Sequence, residues 1–159
     1  MQKTEAFLHR QANFIIESLP ESVRNNLEQE LGVFALPAID PKWGTPVVGG
    51  GDQFVVFKDS PIAQEFLAYL TEWEAYASWA KSGGALFPHK NQNFNDYGNS
   101  IERDLAKILV NAEVFRFDGS DLMPAEVGAG SFWTGIVDYI SGKNLNQVLD
   151  SIEKSWPAN

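Results

Sequence analysis

The side chains best suited to chemistry are few and scattered. His9 and His89 are the only histidines, and they do not form the closely spaced pair of a helical zinc motif. The chain has no cysteine, which excludes thiol catalysis, cysteine zinc sites and disulfides. Each histidine therefore reads as structural or superficial. Asp118 and Asp121 could stand as the acid and nucleophile of a glycosidase, but acidic loop residues are ordinarily just solvated. Gly49-Gly50-Gly51 followed by Asp52 is more distinctive. Three glycines let a backbone bend freely or approach a ligand closely. No Lys-Ser/Thr follows, so this is not a phosphate loop. The segment reads either as a plain hinge or as a hinge whose Asp52 accepts hydrogen bonds from hydroxyl groups.

A second chemistry open to this chain is recognition of a polyhydroxylated ligand. That needs flat aromatic faces and a few placed polar groups in a largely apolar concavity. Aromatic residues make up 13% of the chain, with five Trp, four Tyr and eleven Phe. Arg10, Gln11 and Asn13 supply donors and acceptors beside Phe14. Trp43 sits in a Pro/Gly-rich loop, where it either caps a rim or pins the loop. Trp73, Trp79 and Trp156 lie on amphipathic stretches and read as core. Phe132 shares a helical stripe with Ile136 and Ile140 and reads as core as well. Taken alone, Trp133 reads as core too.

These groups must be positioned by a chain of 159 residues, enough for one domain with its own core. Hydrophobic residues are 44% and charged residues 21%, ordinary globular usage. Twelve Lys+Arg stand against 21 Asp+Glu, a net charge of −9. That balance disfavours nucleic acid and anionic membrane surfaces as partners. No apolar run reaches membrane-spanning length. The first residues, MQKTEAFLHRQ, carry no signal-peptide h-region, so as written the chain would not be expected to be exported.

Phe7-Leu8, residues 33–36 (VFAL) and residues 53–57 (QFVVF) read as short strands, the last most clearly because it is β-branched and aromatic. Phe14, Ile15, Ile16 and Leu19 form an apolar cluster ending at Pro20. Val23, Leu27 and Leu31 share one helical face, and Gly32 follows as a stop. The loop over residues 37–51, rich in Pro and Gly, should hold no regular element. Ser60-Pro61 reads as an N-cap with proline at the first helical position. Thr71 with Glu74 resembles a capping box, and Gly83-Gly84 a helix end. Residues 85–100 are loop by composition. Ile101, Leu105, Ile108 and Leu109 mark an amphipathic helix. Phe115 and Phe117 fall in a connecting segment. A helix through Phe132, Ile136, Tyr139 and Ile140 stops at Gly142, and a last one runs from Asn144 to Pro157. The expected class is α/β and helix-rich, with few short strands. Two isolated strands cannot make a stable sheet, so either the helices cover a very small sheet or the strands belong to sheets with other members elsewhere.

The order of these signals resembles a known family. Leu36-Pro37 closing a strand, the Gly49-Gly50-Gly51 crossover, the strand with Phe54 to Phe57, and the helix from Ser60 through Ala63 and Phe66-Leu67 follow one another as in the extracellular solute-binding proteins of sugar-type ABC transporters. That family includes the maltose-binding proteins. Gly83-Gly84, Pro88-His89-Lys90, the return from Met123-Pro124 to Trp133, and the terminal helix of Leu145 to Trp156 continue the likeness. The run from His9 to Phe14 and the run from Ser131 to Gly135 look closest to the α-glucoside or oligosaccharide type. The resemblance implies a partial type II periplasmic-binding-protein fold, since family members are about two and a half times as long. Residues 1–48 and 122–159 would belong to the C-terminal lobe. Residues 49–121, hinge crossover included, would belong to the N-terminal lobe.

The resemblance implies a non-catalytic, cofactor-free part of a sugar uptake system, with a mono- or oligosaccharide as ligand and an ABC permease as partner. Location would be periplasmic or extracellular for the full-length family. It implies Trp133 as the stacking tryptophan and Phe14 as a second cleft aromatic. Gly51, Asp52, Arg10, Gln11, Asn13 and Trp43 would be further ligand contacts. Two other classes stay open at this point. One is a small module that self-associates through unpaired strand edges as a homo-oligomer without binding sugar. The other is a carbohydrate-active hydrolase. The residues name neither the sugar nor the oligomeric state.

Overall fold

The computed structural model describes residues 7–157; the opening MQKTEA lies outside them. The chain is helix-rich, with one small sheet of two parallel strands, β1 (Pro46–Gly49) and β2 (Val114–Phe117). It divides into two compact units, residues 1–47 with 53–114, and residues 48–52 with 115–159. The chain passes between units within or beside β1 and β2. In this chain residues up to 47 therefore group with 53–114, whereas the resemblance assigns them to the lobe of 122–159.

The first unit begins with three single-turn helices, α1 (Ile15–Ser18), α2 (Glu21–Arg24) and α3 (Leu27–Glu30). The apolar spacing of Val23, Leu27 and Leu31 is helical, but Asn25 and Asn26 interrupt it, because asparagine competes for backbone hydrogen bonds in helix interiors. Glu28 reaches from α3 to the backbone N–H of Ser100 at 2.7 Å, which holds its carboxyl below the usual carboxylate range.

Helix α4 (Pro61–Tyr69) starts as its sequence predicts, with the Ser60 hydroxyl accepting from the Ala63 N–H at 3.3 Å. The capping box expected of Thr71 and Glu74 does not form. Thr71 instead donates back to the Ala68 carbonyl, and a 3₁₀ turn over Trp73–Ala75 precedes α5 (Ala77–Ser82).

The core of this unit joins Trp73, Ala80, Phe87, Tyr97 and Ala106, the last on α6 (Ser100–Val110). Two of these, Phe87 and Tyr97, come from the segment that reads as loop. Buried Gln92 organises it, donating to the carbonyls of Phe87 and His89 and accepting from the Tyr97 hydroxyl at 2.7 Å. Burial pushes the Tyr97 phenol up, reinforced by the nearby Glu102 and opposed by a hydrogen bond at Phe87. A folded pKa above the unfolded one means the protonated phenol favours the fold. Its contribution is complete below about pH 10 and is lost as pH rises through the raised value. An alkaline unfolding titration should lose this component in Tyr97→Phe, read as a flatter dependence of the urea midpoint on pH above about 10.

The second unit packs α7 (Trp133–Ile140) on α8 (Leu145–Glu153). Gly135 makes this contact possible, since a Cβ there would lie 2.9 Å from the Ile152 Cδ1 and 3.0 Å from the Val148 Cγ1. The Asn144 side chain caps α8 by accepting from the N–H groups of Asn146 and Gln147. A π-helical stretch, Glu126–Phe132, runs directly into α7, a geometry with no sequence signal.

Several expectations about strands and core need correction. Phe7-Leu8, residues 33–36 and residues 53–57 form no ladder, and Phe54, Val55 and Phe57 are exposed, Phe57 by 97%. A β-prone segment becomes a strand only when a neighbour accepts its backbone bonds. The ladder forms instead between a loop stretch opened by Pro46 and the segment of Phe115 and Phe117. Proline suits the first residue of a strand, where no ladder donor is required. Trp79 and Trp156 are about half exposed rather than core, although Trp79 meets Phe87 edge-on at 5.4 Å between ring centroids. No helix among the described residues is long and apolar enough to cross a membrane.

Candidate functional site

Trp133 is the first residue of α7 and is 70% exposed. The inner side of the same stretch is closed: Val127 is fully buried, and Gly135 lies against α8. The indole thus stands on the open side of a packed corner.

The glycine run divides by role. A Cβ on Gly49 would come 3.1 Å from the Phe115 ring, and one on Gly50 would come 2.6 Å from an Asp121 carboxylate oxygen. Both glycines thus lie against side chains of the second unit, the Phe115 ring and the mobile end of Asp121. Gly51 has open space around it, and the Asp52 carboxylate is exposed and makes no hydrogen bond or ion pair among the described residues. Asp52 therefore keeps its full acceptor capacity. Gly51, Asp52 and Trp133 all belong to the second unit.

The remaining candidates belong to the first unit. Arg10, Gln11 and Phe14 are exposed and Asn13 is half-buried. Phe14 sits at the start of α1, and Gln11 accepts from the Ala12 N–H. Arg10 makes no ion pair among the described residues. Trp43 ends a 3₁₀ turn, Pro41–Trp43, begun by the Asp40 carboxylate accepting from the Lys42 N–H. The Lys42 ammonium lies 2.9 Å from Asp40 and 4.9 Å from the Trp43 ring centroid. At Gly44 the backbone turns left-handed, at φ 66°. Glu113 accepts from the Thr45 N–H at 3.1 Å. Trp43 is fixed in place by this loop while its ring stays exposed.

Two other titratable candidates, His89 and Asp118, have structural employment. His89 accepts at Nδ1 from the Asn91 N–H, which leaves the proton on Nε2 to be donated to the Thr71 carbonyl. Asp118 accepts from both the N–H and the hydroxyl of Ser120, at 2.8 and 2.6 Å. Among the described residues no group of three or more His, Asp or Glu is placed to hold a metal ion.

Sequence reasoning missed a groove of about 450 Å³ in the first unit. Glu72, Glu74, His89, Asn91 and Asp96 line it over Trp73. The side chains of His89, Asn93 and Asp96 are already engaged there. Asp96 accepts from the Trp73 indole N–H at 2.6 Å and from Asn93 at 3.2 Å. The density of amides and carboxylates over residues 91–96 was the one signal that could have marked it. These bonds make it the polar wall of the core cluster.

No protein-family model and no solved structure matches the chain. Two curated proteins do. The chain is 44% identical, over 95% of its length, to the osmoprotective compounds-binding protein of Synechocystis sp.. It is 38% identical, over 96% of its length, to the alpha-glucosides-binding periplasmic protein of Rhizobium meliloti. It covers 35% and 33% of those proteins respectively. Nearly all of this chain is thus homologous to a part, about a third, of two longer binding proteins.

Proposed function

We propose that this chain is part of the carbohydrate-binding component of an ABC-type uptake system, capturing its ligand by stacking and hydrogen bonding without turnover. The carrying observation is the 44% identity, over 95% of the chain, to a protein named for binding osmoprotective compounds. The second relative, named for α-glucosides and for the periplasm, supports a sugar ligand and a periplasmic or extracellular place for the whole protein. The partners are a mono- or oligosaccharide and an ABC permease.

The fold on this reading is part of a type II periplasmic-binding-protein fold. Residues 1–48 and 122–159 contribute to the C-terminal lobe and residues 49–121, with the hinge crossover, to the N-terminal lobe. One unit boundary, 47/48, falls beside the proposed crossover at residue 49. The exposed apolar segments at 33–36 and 53–57 are what strands look like when their sheet neighbours lie in other parts of a longer chain.

Trp133 is the stacking residue. An indole face covers the C–H surface of a pyranose ring and removes it from water. The free Asp52 carboxylate accepts from sugar hydroxyls, and Gly51 lets the backbone come close. Phe14 adds a second aromatic face, Arg10, Gln11 and Asn13 supply donors and acceptors, and Trp43 stands at the rim. Hinge closure around the ligand would exclude water and strengthen these polar contacts.

The test is a thermal-shift and calorimetric titration of the chain with maltose, sucrose and the non-sugar osmolyte glycine betaine. A ligand of the folded state raises apparent stability by mass action. Saturable binding of an α-glucoside is the expected result, weakened at least about tenfold in Trp133→Ala, as for a buried aromatic anchor. A response to glycine betaine alone, or release of glucose from the disaccharides, would count against the reading.

A further inference from the structure

We infer that the Ser131–Ser155 hydroxyl pair and Gly128 are positioning residues that hold the π-helical turn before α7 and thereby aim the Trp133 indole; this rests on the ligand-binding reading of Trp133. A π-helix bonds each N–H five residues back, fits one more residue into the turn than an α-helix, and is rare enough to need a local cause. Two anchors on the inner side of Glu126–Phe132 supply one.

The upstream anchor is Gly128. A Cβ there would come 2.5 Å from the Ser120 carbonyl oxygen and 3.2 Å from the Met123 Cβ, so only glycine lets the turn lie this close to the preceding loop. Buried Val127 fixes the same point. The downstream anchor is Ser131, whose hydroxyl meets that of Ser155 just beyond α8. Ser155 gives its one hydroxyl proton to the Ile152 carbonyl at 2.7 Å. Ser131 is therefore the donor of the pair, and Ser155 the acceptor. Between Gly128 and Ser131 the chain takes the wider path, and Trp133 follows two residues later.

Slippage from five-residue to four-residue bonding would shift the register by one residue. In a helix of 3.6 residues per turn that is a rotation of about 100°. Such a rotation would carry the indole away from the direction in which it now faces solvent. Ser131 and Ser155 touch no ligand in this account; they act through Trp133.

The experiment uses the full chain labelled with 5-fluorotryptophan, whose five resonances are read by ¹⁹F NMR. The Trp133 line is assigned by its loss in Trp133→Phe. Ser131→Ala and Ser155→Ala should each broaden or shift the Trp133 line and leave those of Trp43, Trp73 and Trp79 in place, with Ser155→Thr restoring it; Trp156, next to Ser155 in the chain, is no control. Maltose affinity should fall about fivefold in both alanine variants, the scale of one hydrogen bond. Gly128→Ala should move the same line by forcing the other anchor. An unchanged Trp133 line in both serine variants overturns the inference whatever the sugar data show. Maltose affinity lost in Trp133→Ala but intact in Ser131→Ala overturns it too. If the unsubstituted chain binds no sugar while the Trp133 line still moves, the positioning stands and the proposed ligand class falls.

Discussion

Trp73→Ala lowers the unfolding free energy of the first unit by about 3–5 kcal/mol, the usual cost of truncating a buried aromatic to alanine. The side chain is 7% exposed and closes the centre of the cluster. It meets Phe87 edge-on at 5.9 Å and Tyr97 at 6.1 Å between ring centroids. Its N–H is also satisfied, 2.6 Å from Asp96, so truncation removes packing and frees a carboxylate oxygen together. Trp73→Phe separates the two effects. It keeps most of the ring contacts, loses the hydrogen bond, and should cost about 1–2 kcal/mol. Urea denaturation followed by near-ultraviolet circular dichroism measures both. Equal losses in the two variants would show that the bond, not the packing, carries the stability.

Glu102→Ala is expected to cost about 2–3 kcal/mol, because one buried carboxylate closes two joints. The first is the start of α6. The Asn99 side chain accepts from the Glu102 N–H at 2.9 Å and donates back to its carboxylate at 3.1 Å, a reciprocal cap. The second is the turn after α5, where the other carboxylate oxygen accepts from the Gly84 N–H at 2.7 Å. Gly83 and Gly84 both have φ near 85°, a conformation that costs other residues strain. Glu102→Gln keeps an acceptor for Gly84 while losing the charge, and should recover about half of the loss. Hydrogen exchange at the Gly84 amide, together with the urea midpoint, checks this. Protection of Gly84 that survives Glu102→Ala would mean the turn is held from elsewhere.

Helices were largely legible from the order of residues, because their signals are local. Ser60-Pro61 caps α4, Asn144 caps α8, and Gly142 at φ 98° follows α7. Each depends on neighbours within four positions. Strands were not legible, because a ladder depends on whichever segment lies beside it. The β-branched residues 53–57 stand unpaired, while Pro46 and its followers, in a loop by composition, found β2. The core in residues 85–100 was hidden for a related reason. Gln92 is polar and reads as surface, yet its amide satisfies two carbonyls and a phenol and so permits Phe87 and Tyr97 to be buried.

The candidate site shows the same division. That a helix runs through residues 132–140 could be read from one dimension, as could the acceptor at Asp52 beside three glycines; taken alone, Trp133 read as core. Which face of that helix is closed could not. Gly135 against Val148 and Ile152, Gly128 against the Ser120 carbonyl, and Ser131 against Ser155 are meetings of residues eight to 24 positions apart. Their fit depends on distances of tenths of an ångström that no residue pattern encodes. Composition and short-range capping were enough to make this an acidic, helix-rich chain furnished with aromatic faces. The exposure of one indole and the burial of the turn behind it came from long-range packing, where steric exclusion and shared hydroxyl protons select a single arrangement.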